Sequence, residues 1–280
     1  MDEQTAQFLR ALSRLCGWIY TLSWSASFYP QPLLNWKRKS THGLAIDFPL
    51  LNVVGFTSYT ISTACFLTSR VVREQYAARH HGLEPTVRLN DLVFGVHAII
   101  LVTLTYTQFY PMLWRFQVSW RQRASAPVVG LCWGCFLSVI VVMLLIWYRN
   151  GFGHQQALDW AWIDILYTLG YIKLVVTFVK YIPQAFVNFK RKSTEGWSIY
   201  QILFDLTGGV LSMVQLVIDA SFQSDWSGIT GNPLKFGLSV VSTAFDLLFM
   251  VQHYLLYRSP VGQVKDSEHE PLLAEPGQVT

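Results

Sequence analysis

Seven stretches of mostly apolar residues divide the chain: Leu15 to Trp36, Leu44 to Thr68, Asn90 to Trp114, Pro127 to Trp147, Trp162 to Phe186, Trp197 to Asp219 and Leu234 to Tyr257. A bilayer's hydrocarbon core is about 30 Å thick and an α-helix rises about 1.5 Å per residue, so each run is long enough to cross it. Only 14% of the 280 residues are charged, where soluble chains carry about 25%. A soluble enzyme is excluded on this ground. The net charge of +4 is scattered in short clusters, which gives nucleic acid no continuous basic face. Cys16, Cys65, Cys132 and Cys135 all sit in apolar runs, so a disulfide framework is not expected. Asp2 and Glu3 stand where a signal peptide would carry basic residues, and the first run is therefore expected to remain as a span. The longest connection, Ser69 to Leu89, reads as a polar loop, and the chain as one membrane domain.

The chain also repeats itself. From Pro30 it reads PQPLLNWKRKSTHGLAIDFPLLNVVG, and from Pro183 it reads PQAFVNFKRKSTEGWSIYQILFDLTG. In this register Gln31 matches Gln184, Asn35 matches Asn188, Lys37 to Thr41 match Lys190 to Thr194, Gly43 matches Gly196, and Gly55 matches Gly208. The copies begin in the first and fifth spans. The expected architecture is thus an all-α membrane protein of seven transmembrane helices, two parallel three-helix-bundle repeats joined by helix 4 in a 3+1+3 order. Its parts are an N-terminal segment over 1–14, a first repeat over 15–114, a linker helix with its flanking loops over 115–161, a second repeat over 162–257 and a tail over 258–280. Secondary transporters build binding sites between two such halves; a seven-helix receptor is the competing reading. Proline removes a backbone donor, so kinks are expected near Pro30 and Pro183, with Gln31 and Gln184 beside the freed carbonyls as matching hinges.

Ionisable groups at membrane depth are candidates for function. Asp205 lies eight residues into the sixth run, about 12 Å along a helix, and the register sets Asn52 at the matching place in the second. Lys173 and Lys180 share a helix face and call for acidic partners, with Asp205 and Asp246 available; Asp91 and Asp164 stand near the non-cytosolic ends of their runs. A carboxyl group held out of water is suited to take a proton from an acidic compartment and release it to a neutral one. Eleven lysines and arginines fall on the side of the Lys37–Lys39 and Lys190–Lys192 loops and eight on the other. The bias places the C-terminus in the cytosol and the N-terminus in the lumen.

The strings FYPQPLLNWKRKS, VKYIPQAFVNFKRKSTEGWSI, FDLTGG and FDLLFMVQHYLLY closely resemble the lysosomal and vacuolar cystine–proton symporters of the PQ-loop family. The resemblance implies a carrier in the vacuolar or lysosomal membrane that exports L-cystine with protons and needs neither cofactor nor metal. It puts the proton-coupling aspartate on Asp205, with Asp91 and Asp246 as further functional aspartates. Substrate contacts fall on Trp24, Phe28, Asn52, Lys180 and Gln184, and on Gln201 where animal members have asparagine. On this resemblance the chain is expected to be a member without the long glycosylated luminal region that precedes the first span in animal members. Glu268, Leu272 and Leu273 look like an acidic dileucine signal for a clathrin adaptor. A PQ-loop exporter of cationic amino acids such as lysine or arginine is the nearest alternative.

Overall fold

The computed structural model describes residues 3–80, 82, 85, 87, 89–120, 122–151, 160–221 and 233–257. The tail with Glu268, Leu272 and Leu273 lies outside them. The helices are α1 (Glu3–Ser27), α2 (Pro30–Arg38), α3 (Asp47–Thr68), α4 (Arg70–Arg79), α5 (Leu89–Thr107), α6 (Pro111–Trp114), α7 (Ala126–Gly151), α8 (Trp162–Val179), α9 (Tyr181–Arg191), α10 (Ile199–Ser221) and α11 (Pro233–Val251), the last continuing as a π-helical turn over Gln252–Leu256. Asp47–Thr68, Ala126–Arg149, Trp162–Arg191, Ile199–Ile218 and Ser239–Leu256 are long and apolar enough to cross a membrane, and Asp91–Thr107 is a shorter apolar helix. The remaining expected span is the α1–α2 pair, which carries Arg10 and Arg14 and is more polar than the others.

The first proline position breaks the helix outright, where sequence predicted a kink; at the second the interruption is confined to Lys180, whose backbone stays helical (φ −54°, ψ −31°), and Trp162–Arg191 runs on as one span. A proline ring collides with the carbonyl four residues earlier, which is Ala26 for Pro30 and Val179 for Pro183. The preceding helices accordingly stop at Ser27 and Val179. In the first repeat Pro30 opens the new helix, but in the second the break falls at Lys180 and Pro183 sits in the first turn of α9. Both short helices then end on a lysine in the left-handed region, Lys39 at φ 51° and Lys192 at φ 53°. The repeat is thus visible in backbone angles as well as in letters.

The halves interlock. The α1 helix packs on α10, and α3 packs on both α5 and α8, so each repeat's leading helix lies against the other repeat's second one. Close approach of α1 and α10 depends on Gly208, where a Cβ would stand 2.4 Å from Trp24 Cδ1. Small residues at such contacts substitute for the hydrophobic drive that lipid removes. The connector α7 packs against α8 and α3, burying Val128, Val142 and Ile146 with Leu51, Ile165 and Leu169.

The connection after α3, expected to be loop, contains α4. Ser69 caps it by accepting from Val72 N at 3.4 Å. Its far end is tied to the start of α8: Arg79 donates to Asp164 through Nη1 at 2.6 Å and Nη2 at 2.9 Å, and Gln75 Oε1 accepts from Ile163 N at 3.1 Å. Asp164 is therefore a structural counter-ion. Burial acts against the Arg79 cation, but the hydrogen-bonded Asp164 carboxylate outweighs it and raises the Arg79 pKa.

A candidate transport site between the two repeats

At one end of the helices the two Lys-Arg-Lys-Ser-Thr loops meet, and the two glutamines of the Pro-Gln pairs hold them together. Gln31 Nε2 donates to Gly196 O and to Asn35 Oδ1, both at 2.9 Å, while its Oε1 accepts from Ser198 N at 2.8 Å. Gln184 mirrors this across the repeats, donating to Gly43 O at 3.0 Å and Asn188 Oδ1 at 2.9 Å and accepting from Ala45 N at 2.7 Å. The amide chain runs one step further in each half. Asn35 donates to Gln108 Oε1 at 2.7 Å and Gln108 to Pro32 O at 3.0 Å; Asn188 donates to Gln252 Oε1 at 3.0 Å and Gln252 to Ala185 O at 3.1 Å. All six amide side chains are buried, so each bond is formed where water cannot replace it.

The loops touch through glycine. Gly43 (φ +96°) and Gly196 (φ +89°) each face the other loop's backbone, with a Cβ at either position falling 1.9 Å from Glu195 O or His42 O. Arg38 pairs with Glu195 at 3.2 Å, and Arg191 Nη1 donates to Glu195 O at 2.8 Å. One asymmetry separates the loops: Gln122 donates to Thr41 O at 2.7 Å and Leu44 O at 2.9 Å, strapping the first loop alone to the segment before α7. His42 lies between these charges, and its pKa is lowered by burial, then by Arg191 and Arg38, against the opposing Glu195. A depressed histidine leaves the unfolded chain binding the extra proton, so stability is full above about pH 6.5 and falls as the pH drops below that value. Thermal melts of His42→Gln are expected to decline less between pH 6.5 and 5 than the wild type.

Above this clasp lies a cavity of about 230 Å³ bounded by both repeats. The register pairs its walls: Trp24 with Thr177, Ser27 with Lys180, Phe28 with Tyr181, Phe48 with Gln201, and Asn52 with Asp205. In each of the last four pairs the charged or more polar member belongs to the second repeat or matches its partner, so the site is symmetric in shape and lopsided in charge. Six of the expected substrate contacts, Trp24, Phe28, Asn52, Lys180, Gln201 and Asp205, line it together. Gln184 does not: its amide is fully buried and engaged in the clasp. The Pro-Gln glutamines thus act on the opposite repeat's loop instead of on the carbonyls freed by their own prolines.

The lysines depart from expectation in a second way. Among the described residues neither Lys173 nor Lys180 forms an ion pair. Lys173 Nζ sits 3.5 Å from the Phe56 ring centroid, and Lys180 Nζ sits 4.5 Å from Tyr181 and 5.6 Å from Phe48. Aromatic faces hold a cation without consuming its hydrogen-bond donors in a carboxylate. Asp205 is bound differently: its Oδ2 accepts from Tyr181 OH at 2.9 Å and Ser242 Oγ at 3.3 Å. Ser242 Oγ is also 3.5 Å from Asp246 Oδ2, so its single proton serves either carboxylate, and the two hydroxyls lie 3.0 Å apart. A chain of hydroxyls therefore links the cavity carboxylate to Asp246, which is sealed from solvent with Oδ1 unpaired among the described residues. Asp91 stands in the first turn of α5, outside the cavity wall.

Tyr181 and Ser242 were missed by sequence reasoning. Tyr181 directly follows Lys180, and Ser242 precedes Asp246 by four residues, one helical turn, which was the signal available for it.

A family model of the PQ-loop repeat matches residues 12–70 and 165–225. The chain is 38% identical over 252 residues to a cystinosin homolog of Dictyostelium discoideum, covering 90% of this chain and 84% of that protein. It is 40% identical over 247 residues to cystinosin of Drosophila melanogaster, 88% of this chain but 58% of that longer one. A protein named cystine transporter in Saccharomyces cerevisiae is 27% identical over 259 residues, covering 89% and 95%. Two parallel repeats, a Pro-Gln pair in each and a relative 38% identical over 84% of its own length lead to one assignment: the chain belongs to the cystinosin family of PQ-loop membrane proteins.

Proposed function

We propose that the protein is a proton-coupled symporter that exports L-cystine from an acidic vacuole or lysosome to the cytosol by alternating access. The observation that carries this reading is the charge set of the cavity: among the described residues, two lysines without ion pairs, one carboxylate, and the buried Asn52 Oδ1 without a partner. Cystine brings two carboxylates and two ammonium groups, and each finds a complement here. Lys173 and Lys180 stand seven residues apart, about 10.5 Å along a helix, which suits carboxylates at the two ends of one molecule. A free lysine or arginine would add net positive charge beside two lysines, which disfavours the cationic exporter. The yeast relative's name agrees with the substrate.

In this reading the clasp is the closed cytosolic gate, the N-terminus is luminal, and the C-terminus is cytosolic. Asp205 takes a luminal proton as cystine loads. Protonation reverses one hydrogen bond of the Tyr181–Ser242 chain, because the carboxyl group then donates where it had accepted, and Asp246 is the next proton site along that chain. Asp91 is a further acidic group near the lumen.

Uptake of radiolabelled cystine into proteoliposomes, driven by acid outside, tests the assignment; transport of lysine or arginine in preference to cystine would reject it. Counterflow separates a carrier from a receptor, since only a carrier lets an unlabelled internal pool draw label across. Lys180→Met is expected to raise the KM for cystine at least about tenfold, the loss of one charge-assisted hydrogen bond, and Lys180→Arg to recover part of it. Delivery is assigned to the tail: Leu272→Ala with Leu273→Ala is expected to move the protein to the plasma membrane, seen by fluorescence microscopy.

A further inference from the structure

Two ring contacts fix how α3 faces α8 across the cavity. Lys180 Nζ lies 5.6 Å from the Phe48 ring centroid, and Lys173 Nζ lies 3.5 Å from that of Phe56. The two stripes therefore run in opposite directions with their ends in register. Halfway between the rings on α3 stands Asn52, and between the lysines on α8 stands Thr177, one helical turn from each. Gly55 supports this register, since a Cβ there would stand 3.1 Å from Val176 Cγ1, on the residue just before Thr177. All three rungs, Phe48 with Lys180, Asn52 with Thr177 and Phe56 with Lys173, line the cavity.

The middle rung is unsatisfied. Thr177 is 8% exposed and Asn52 4%, and among the described residues Thr177 Oγ1 and Asn52 Oδ1 are buried without a hydrogen-bond partner. Other helical threonines behave differently. Thr21, Thr68, Thr105, Thr168 and Thr207 each donate to the carbonyl four residues earlier, at 2.7–2.9 Å. Thr60 and Thr243 share the orphaned state of Thr177, but neither borders the cavity. Buried polar atoms without partners are destabilising, and a ligand that supplies the missing group relieves them.

The missing group is a donor. Asn52 Oδ1 can only accept, and a hydroxyl accepts while keeping its own proton for another acceptor. With the carboxylates of cystine at Lys173 and Lys180, the parts left between them are the disulfide, which donates nothing, and two ammonium groups. The carboxyl group of Asp205, matched to Asn52 by the repeat, accepts one of these. We propose that Thr177 is a specificity-determining residue: with Asn52 Oδ1 it accepts the second ammonium group, so the site selects substrates with a cationic nitrogen on each half. This assignment rests on the cystine reading of the cavity.

The mixed disulfide of cysteine and 3-mercaptopropionic acid isolates the contact, because it has both carboxylates of cystine and one ammonium group. That ammonium goes to the Asp205 carboxyl group, the stronger acceptor, and leaves the middle rung unused. Binding of the two disulfides to purified protein, followed by tryptophan fluorescence, tests the assignment. In Thr177→Val, which keeps the β-branched shape, binding of cystine is expected to weaken at least about tenfold, the loss of a hydrogen bond to a charged group. Binding of the mixed disulfide is expected to stay as in the wild type. Thr177→Ser, which keeps the hydroxyl, is expected to bind both as the wild type does. A wild type that binds no cystine would overturn the cystine reading and this assignment with it. A wild type that binds cystine, with Thr177→Val leaving both disulfides unchanged or weakening both alike, would overturn the assignment of Thr177 alone.

Discussion

Asp205→Asn is expected to abolish acid-driven accumulation of cystine while leaving exchange of cystine for cystine measurable. Asparagine keeps the shape of the side chain and still accepts from Tyr181 and Ser242, but it can neither gain nor lose a proton. One pH unit corresponds to about 1.4 kcal/mol, so a two-unit gradient coupled to one proton concentrates substrate roughly hundredfold. The wild type should approach that ratio in proteoliposomes, and the variant should level off near equality on the two sides. Counterflow in the same vesicles then shows that the binding site survives. A variant that still concentrates cystine with the usual pH response would remove Asp205 from the coupling role, and Asp246 and Asp91 would be the next groups to replace.

The second large effect is expected at the clasp. Gly196→Ala places a methyl group where His42 O now stands, and it does so at a φ of +89° that L side chains rarely adopt. Neither neighbour can yield easily, because the obstacle is backbone and that backbone is strapped by Gln122 on one side and Gln184 on the other. Separation of the loops would strand Gln31 and Gln184 with buried donors and acceptors, at about 1–3 kcal/mol for each unpaired group. Transport in Gly196→Ala is expected to fall below about a tenth of wild type, a loss equivalent to about 1.4 kcal/mol, with protein still present in the membrane. A cysteine introduced at Ser198 should at the same time become reactive to a membrane-impermeant thiol reagent on the loop side. Normal uptake with an unreactive Cys at that position would mean the loops have room that the backbone geometry denies them.

Much of this was readable beforehand, and the reasons differ from residue to residue. The spans were legible because a bilayer demands about twenty apolar residues in a row, a demand that depends on no tertiary contact. The first span was the least regular of them, since α1 buries polar positions such as Ser13 and Ser27 and its outer half carries arginines. Asn52 and Asp205 could be placed opposite one another because a duplicated chain repeats its geometry with its letters, and the cavity bears both. The lysines could not be assigned partners in this way. Whether an ammonium group meets a carboxylate or a ring depends on the rotation and separation of α3 and α8, and Phe56 and Phe48 reach Lys173 and Lys180 only in three dimensions. Gln184 illustrates the same limit: its partners Gly43 and Ala45 lie about 140 residues away, beyond any local pattern.

From the sequence alone come the membrane-spanning class, the twofold repeat and the identity of the polar residues at depth, since these follow from hydrocarbon thickness, from duplication and from the cost of burying charge. Only the folded structure decided that the Pro-Gln glutamines clasp the opposite loops, that the lysines rest on aromatic faces without ion pairs, and that two hydroxyls join Asp205 to Asp246. Those outcomes depend on distances of a few ångströms between helices remote in the chain, and hydrogen bonds and cation–π contacts exist only at such distances.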